Sequence, residues 1–186
     1  MKQIFIDVET TGVNHWQHSV HQISGGIYID NILMETFDLK VKPHEKSIID
    51  PEALKIGNLT LQQINSYPHR KEAYNSLIKS LSKYVSRYDK NDKFFFCAYN
   101  SHFDNAFMRA FFKQNNDDFF GSFFWSSTID VMVLAAEKLK NVRHQMPNFQ
   151  LMTVAKHLGI EVEEDKAHDG YYDITITKKL YDKLIN

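Results

Sequence analysis

The 186-residue chain has a single cysteine, Cys97, so it can form no internal disulfide. Its setting, "KFFFCAYN", reads as a buried strand and the thiol as a core side chain, consistent with a reducing compartment. No apolar run approaches the roughly 18–20 residues that a membrane span requires. Asp7 and Glu9 interrupt the N-terminal run "MKQIFIDVET", which excludes the uncharged segment of a secretory signal. A cytoplasmic location is therefore expected. Net charge is nearly absent as well, with 22 Lys+Arg against 23 Asp+Glu. That excludes a histone-like or tail-type nucleic-acid binder, but not an enzyme that grips nucleic acid locally. Repeats, low-complexity tracts and clean linkers are missing. The chain is 43% apolar and 13% aromatic, enough to build a core, and its length fits one domain over residues 1–186.

Hydrophobic periodicity divides the chain. Lys2–Val8 reads as a central strand, apolar on both parities. Val20–Ile29 and Leu33–Val41 read as a hairpin turning at Asp30-Asn31. Asp50 and Pro51 open a short helix stopped at Gly57-Asn58, and Thr60 with Gln63 suggests a capping box on a second. Arg70–Tyr88 carries an amphipathic helical pattern. Phe94–Tyr99 reads as a fourth strand, Asn105–Phe112 as a helix, and Trp125–Asp130 as the place of a short fifth strand. Helices are expected over Val131–Leu139, Leu151–Leu158 and Asp173–Leu184. This order suits an α/β fold with a mixed sheet and helices on both faces.

The chemistry centres on acids. Asp7 and Glu9, two apart on one strand, emerge on the same side near its C-terminal end. Burying such a pair is costly unless a cation or proton offsets it, whereas at a solvated edge the pair is unremarkable. Asp104 follows the fourth strand, and Asp173 begins the last helix with His168 five residues before it. Either aspartate alone reads equally well as a helix cap. Together, four acids at strand ends and helix starts suit hard divalent cations, which prefer oxygen ligands. A pair of such ions can support in-line phosphoryl transfer.

Three segments carry a resemblance: "FIDVETTG" with Asp7 and Glu9, "AYNSHFDNAF" with Asn100, Phe103 and Asp104, and "AHDGYYDITIT" with His168 and Asp173. In order and spacing the chain resembles the DEDD exonuclease superfamily. Within it, the chain is most similar to the His-containing branch that includes the proofreading epsilon subunit of bacterial DNA polymerase III. The resemblance implies a ribonuclease H-like fold, with a five-stranded mixed sheet whose second strand is antiparallel. It implies stepwise 3′→5′ hydrolysis of single-stranded DNA ends to nucleoside 5′-monophosphates, with RNA trimming as the alternative. It implies two Mg²⁺ or Mn²⁺ ions held by Asp7, Glu9, Asp104 and Asp173, and His168 as the general base. Thr10, Thr11, Gly12, Val13, Asn100 and Phe103 would lie against the terminal nucleotide, Phe103 reading also as a core residue. A polymerase subunit is an implied partner; the pattern leaves the oligomeric state open. Two positions depart from the family pattern: Gln22 stands where relatives often have an acid, and Gly170 where they commonly have alanine.

Outside these motifs, Trp16 and His18 are candidates for base stacking. Lys138, Lys140, Arg143 and His144 form a local basic concentration that reads either as phosphate contacts or as a solvated loop.

Overall fold

The computed structural model describes residues 1–163 and 169–185. The remaining residues, 164–168 and 186, lie outside the description, and His168 is among them. Five strands form one sheet in the order β3-β2-β1-β4-β5. These are β1 (Lys2–Thr10), β2 (Val20–Ile29), β3 (Ile32–Lys40), β4 (Phe95–Ala98) and β5 (Ile129–Asp130). β2 runs antiparallel to β1 and β3, while β4 pairs parallel with both β1 and β5. Asp30 and Asn31 both adopt positive φ at the hairpin turn, the conformation that matches the twist of the two strands.

Helices cover both faces, as expected. Even-numbered residues of β1 (Ile4, Ile6 and Val8) pack in one core with α3 (Arg70–Ser82) and α4 (Ser101–Gln114). Phe5, with Cys97 of β4, faces a second core built on α5 (Val131–Lys138), α6 (Leu151–His157) and α7 (Gly170–Ile185). The two short helices α1 (Pro51–Ile56) and α2 (Leu61–Asn65) carry the caps expected of them. Asp50 accepts from Glu52 N, and Thr60 and Gln63 close a capping box.

Several boundaries differ from the periodic reading. β1 continues through Glu9 and Thr10, because both still pair with β2. α3 stops at Ser82 instead of reaching Tyr88. Val85 turns into the core at 2% exposure while Tyr88 is 95% exposed, and Asp92 accepts from Ser86 N and from Lys2 to hold the chain in a turn. α4 and α7 begin earlier than expected, which places Asp104 and Asp173 inside first turns. β5 is confined to Ile129–Asp130, although Phe124 makes an isolated parallel bridge to Phe94. No helix among the described residues is long and apolar enough to cross a membrane.

His21 on β2 is 2% exposed, and its Nδ1 has no hydrogen-bond partner. Burial, reinforced by Lys40, pushes its pKa down from 6.5 to about 4. Between those values the unfolded chain binds the proton more readily than the folded one. The stabilisation is therefore complete above pH 6.5 and lost as pH falls toward 4. Urea unfolding at pH 7 and pH 5 should show His21→Leu losing about 2 kcal/mol less than the wild type over that interval. Equal losses in the two proteins would remove His21 from the pH response.

Candidate active site

β1 overruns β4. Their parallel pairing spans Gln3–Phe5, so the C-terminal half of β1 has no ladder partner on the β4 side. Asp104, in the first turn of α4, fills that gap: its Oδ1 accepts the Val8 N–H at 3.1 Å. The odd residues of β1 face α7, so Asp7 and Glu9 point to the side where Asp173 enters. The carboxylates sense one another. Burial, then the charges of Asp104, Glu9 and Asp173, hold the Asp7 pKa well above the usual carboxylate range. Burial also raises that of Asp104; its bond from Val8 opposes the shift, and Glu9 and Asp130 add to it.

The start of α4 is clamped by Asp130, the N-cap of α5, whose importance the sequence reading missed. Its carboxylate accepts from Met132 and Val133 of its own helix, and from Asn100 N at 3.2 Å and Ser101 N at 2.9 Å. One side chain thus joins the start of α5 to the start of α4. The apolar-then-Asp pattern of "STIDVMVLA" marks it as a cap in sequence, but only the fold brings Asn100 and Ser101 to it. Asn100 itself sits at φ 66°, a left-handed conformation that asparagine tolerates, and makes no side-chain cap of its own.

The neighbouring strands continue the polar row. Asp7 pairs with Ser24 and Ser24 with Asp38; Glu9 pairs with Gln22. Asp38 Oδ1 accepts from Gln22 Nε2 at 2.7 Å and from Ser24 Oγ at 2.8 Å. Gln22 therefore keeps a carboxylate near this row, supplied from β3 instead of from its own position.

The residues after β1 divide by environment. Thr10 Oγ1 donates to Gly12 O at 2.8 Å. Thr11 is fully buried and its hydroxyl bridges Ile48 O and Ser19 N, so it shapes the loop and presents no side-chain surface. Gly12 lies against the His18 ring, which a Cβ would approach to 2.4 Å; the close approach explains the glycine. His18 is thereby placed as packing for this loop, with its Nδ1 at Asn14. Val13 is 82% exposed beside it. Phe103 is half-buried, its ring 4.8 Å from Phe107 at the edge of the first core. Of the basic residues after α5, Lys140 pairs with Glu137, and the Arg143 guanidinium stacks 3.7 Å from the Phe149 ring.

The donor set is all carboxylate oxygen, delivered by β1, α4 and α7, and it suits hard divalent cations. Mutual repulsion among buried acids is the condition that such a cation relieves. Among the described residues, no group of three or more His, Cys, Asp or Glu side chains is already arranged to hold a metal ion.

A ribonuclease H-like mixed sheet with acids gathered beyond the end of its central parallel pair defines the class of fold. A family model described as Exonuclease, of the ribonuclease T type, matches residues 4–181. The chain belongs to this exonuclease family of phosphodiester hydrolases. Ribonuclease T of Shewanella denitrificans is 24% identical over 189 residues, covering 98% of this chain and 80% of that protein. A PolC-type DNA polymerase III of Mycoplasmopsis pulmonis is 24% identical over 178 residues, covering 96% of this chain but 11% of the polymerase. Among solved structures, E. coli exonuclease I in complex with a dT13 oligonucleotide superposes with a TM-score of 0.75 at 21% identity. That match covers 99% of this chain and 40% of exonuclease I. A zinc-bound form of the exonuclease I–single-stranded DNA complex gives 0.76 at 23% identity. These likenesses establish the fold, and the chain spans well under half of each exonuclease I chain.

Gly170, the first residue of α7, carries this geometry. A Cβ there would lie 2.4 Å from Ser24 Oγ, 3.0 Å from Ser24 Cβ and 3.4 Å from Asp7 Oδ2. Alanine improves helix propensity by about 0.5–1 kcal/mol, but overpacking against a strand costs about 1–3 kcal/mol. We expect Gly170→Ala to lower the melting temperature and Ser24→Gly to restore it in the double variant. A Gly170→Ala protein as stable as wild type would show that α7 does not bear on Ser24.

Proposed function

We propose that the chain is a metal-dependent 3′→5′ exonuclease that removes nucleoside 5′-monophosphates from single-stranded DNA ends. The observation that carries this reading is the convergence of Asp7, Glu9, Asp104 and Asp173, with the Asp7 pKa raised by burial and by the charges of the other three. These carboxylates would hold two Mg²⁺ or Mn²⁺ ions. When bound, such ions supply Lewis acidity toward a water and the scissile phosphodiester. Asp104 is held in place by Val8, and its turn by Asp130, so the chain presents its acids without reorganising. His168, outside the described residues, would take the proton from the attacking water, a role suited to an imidazole near its ordinary pKa. Thr10 and the backbone of the Thr11–Val13 turn, with Asn100 and Phe103, would bound the terminal nucleotide. One domain over residues 1–186, acting in the cytoplasm, fits this reading.

The ribonuclease T relative favours RNA as the runner-up substrate. Likeness to the PolC-type polymerase favours a proofreading role beside a polymerase, testable by co-purification with a replicative polymerase subunit.

Matched single-stranded DNA and RNA 12-mers, labelled at the 5′ end, should be shortened from the 3′ end in Mg²⁺ or Mn²⁺, DNA faster. Asp7→Asn should reduce the rate by roughly a hundredfold or more. Without metal, removing one of the mutually repelling charges should leave Asp7→Asn at least as stable as wild type. The rise in melting temperature that Mg²⁺ or Mn²⁺ gives the wild type should disappear in it. Full activity in Asp7→Asn would overturn the proposed mechanism. Faster cleavage of RNA would shift the substrate assignment.

A further inference from the structure

A groove of about 460 Å³ runs along the outer flank of α4, the helix that also carries Asp104. One wall is the helix itself, with His102, Arg109 and Lys113; the other is the loop carrying His15 and Trp16. In sequence, Asn105 of the groove directly follows Asp104 on α4, and the loop of the other wall follows Glu9 through Gly12. Trp16 is 79% exposed, yet it does not hang on a loose segment. Its backbone N–H donates to Asn14 Oδ1 at 3.0 Å, and Gln17 and His18 donate to Asn14 O. Its ring lies 4.7 Å from that of His15, which meets the core ring of Phe107 edge-on at 6.1 Å. A large apolar face is thus fixed in solvent at the mouth of the groove.

The opposite wall is cationic and also positioned. Arg109 Nε donates to Asn105 Oδ1 at 2.8 Å, and its guanidinium rests 4.5 Å from the Phe120 ring. Lys113 follows one turn later on the same flank. Asp117 also lines the groove, but its carboxylate is met by Arg87 and the Tyr74 hydroxyl; Asp118 is exposed at the far end. An ordered aromatic face opposite basic side chains is the composition that binds single-stranded nucleic acid without reading its sequence.

We propose that this groove holds the single strand upstream of the 3′ terminus, with one base stacked on Trp16 and backbone phosphates against Arg109 and Lys113. The proposal rests on the exonuclease reading for its direction. Along α4, Asp104 and Lys113 are separated by roughly 13 Å of helix rise. That is about four stacked nucleotides at ~3.4 Å each, so a dinucleotide seated at the acids does not reach Lys113.

The test separates binding from turnover. In EDTA, tryptophan fluorescence of the intact protein is titrated with a single-stranded DNA 12-mer and with a dinucleotide. The 12-mer should quench the wild type, and Trp16→Phe should lose that quenching. In Trp16→Ala the ratio of 12-mer to dinucleotide affinity should fall about tenfold. Arg109→Gln and Lys113→Gln should each lower the salt slope of 12-mer binding by about one. Because Trp16 and Lys113 are at the surface of the groove, at least these two variants should fold normally by circular dichroism. Wild-type fluorescence that ignores a bound 12-mer, or an equal loss for both lengths, overturns the groove. Hydrolysis measured in parallel with no change in length preference overturns it too and leaves the exonuclease reading standing. Trp16-dependent quenching in a protein that hydrolyses nothing with Mg²⁺ or Mn²⁺ supports the groove and overturns the exonuclease reading.

Discussion

Mutual repulsion among carboxylates held close together is the constraint around which this molecule is built. Asp7, Glu9, Asp104 and Asp173 would separate in a chain free to relax: burial and the charges of the other three disfavour ionisation of Asp7, and burial and Glu9 that of Asp104. They stay together because the elements bearing them are fixed by something stronger. β1 is the central strand, with Ile4, Ile6 and Val8 packed on one face and Phe5 on the other. A strand buried on both sides cannot rotate its acids away. α4 is fixed by Phe107, Met108, Phe111 and Phe112, and α7 by Ile174, Leu180 and Tyr181. Hydrophobic burial on the two faces thereby sustains an unfavourable electrostatic arrangement at the sheet's end.

The polar bonds around the site refine this placement. Val8 N–H meets Asp104 because β4 has ended, and Asp130 binds the start of α4 because β5 ends beside it. The first contact satisfies a strand donor that the sheet leaves open, and the second satisfies free N–H groups at the start of a helix. Gly170 lets the first turn of α7 settle against Ser24 and Asp7. The same strand end that gathers the acids releases the chain into the Thr11–His18 loop. That loop carries the exposed Trp16 ring.

Much of the scaffold was legible from local pattern. β2 was delimited correctly, the hairpin turn at Asp30-Asn31 has the expected left-handed residues, and the Thr60–Gln63 capping box is present. Each depends on residues close in sequence. The errors have long-range causes. Apolar spacing carried α3 on to Tyr88, but Asp92, fastened to Lys2, holds the chain in a turn and Val85 takes the buried place. α4 was started too late because "NSHFD" lacks apolar periodicity; the support for its first turn comes from Asp130. At Gln22, where relatives often have an acid, the side-chain amide donates to Asp38 of β3, which the strand register pairs with Ser24.

The sequence by itself determined that Asp7 and Glu9 share one side of a central strand, because side chains on a strand alternate with a period of two. It also carried the motif order on which the exonuclease resemblance rests. Only the tertiary structure decided that Asp104 and Asp173 reach those acids, that Asp130 locks two helix starts together, and that Trp16 stands opposite Arg109 across a groove. Those relations join residues far apart along the chain. They follow from the stacking of two hydrophobic cores on one sheet, which no local spacing encodes.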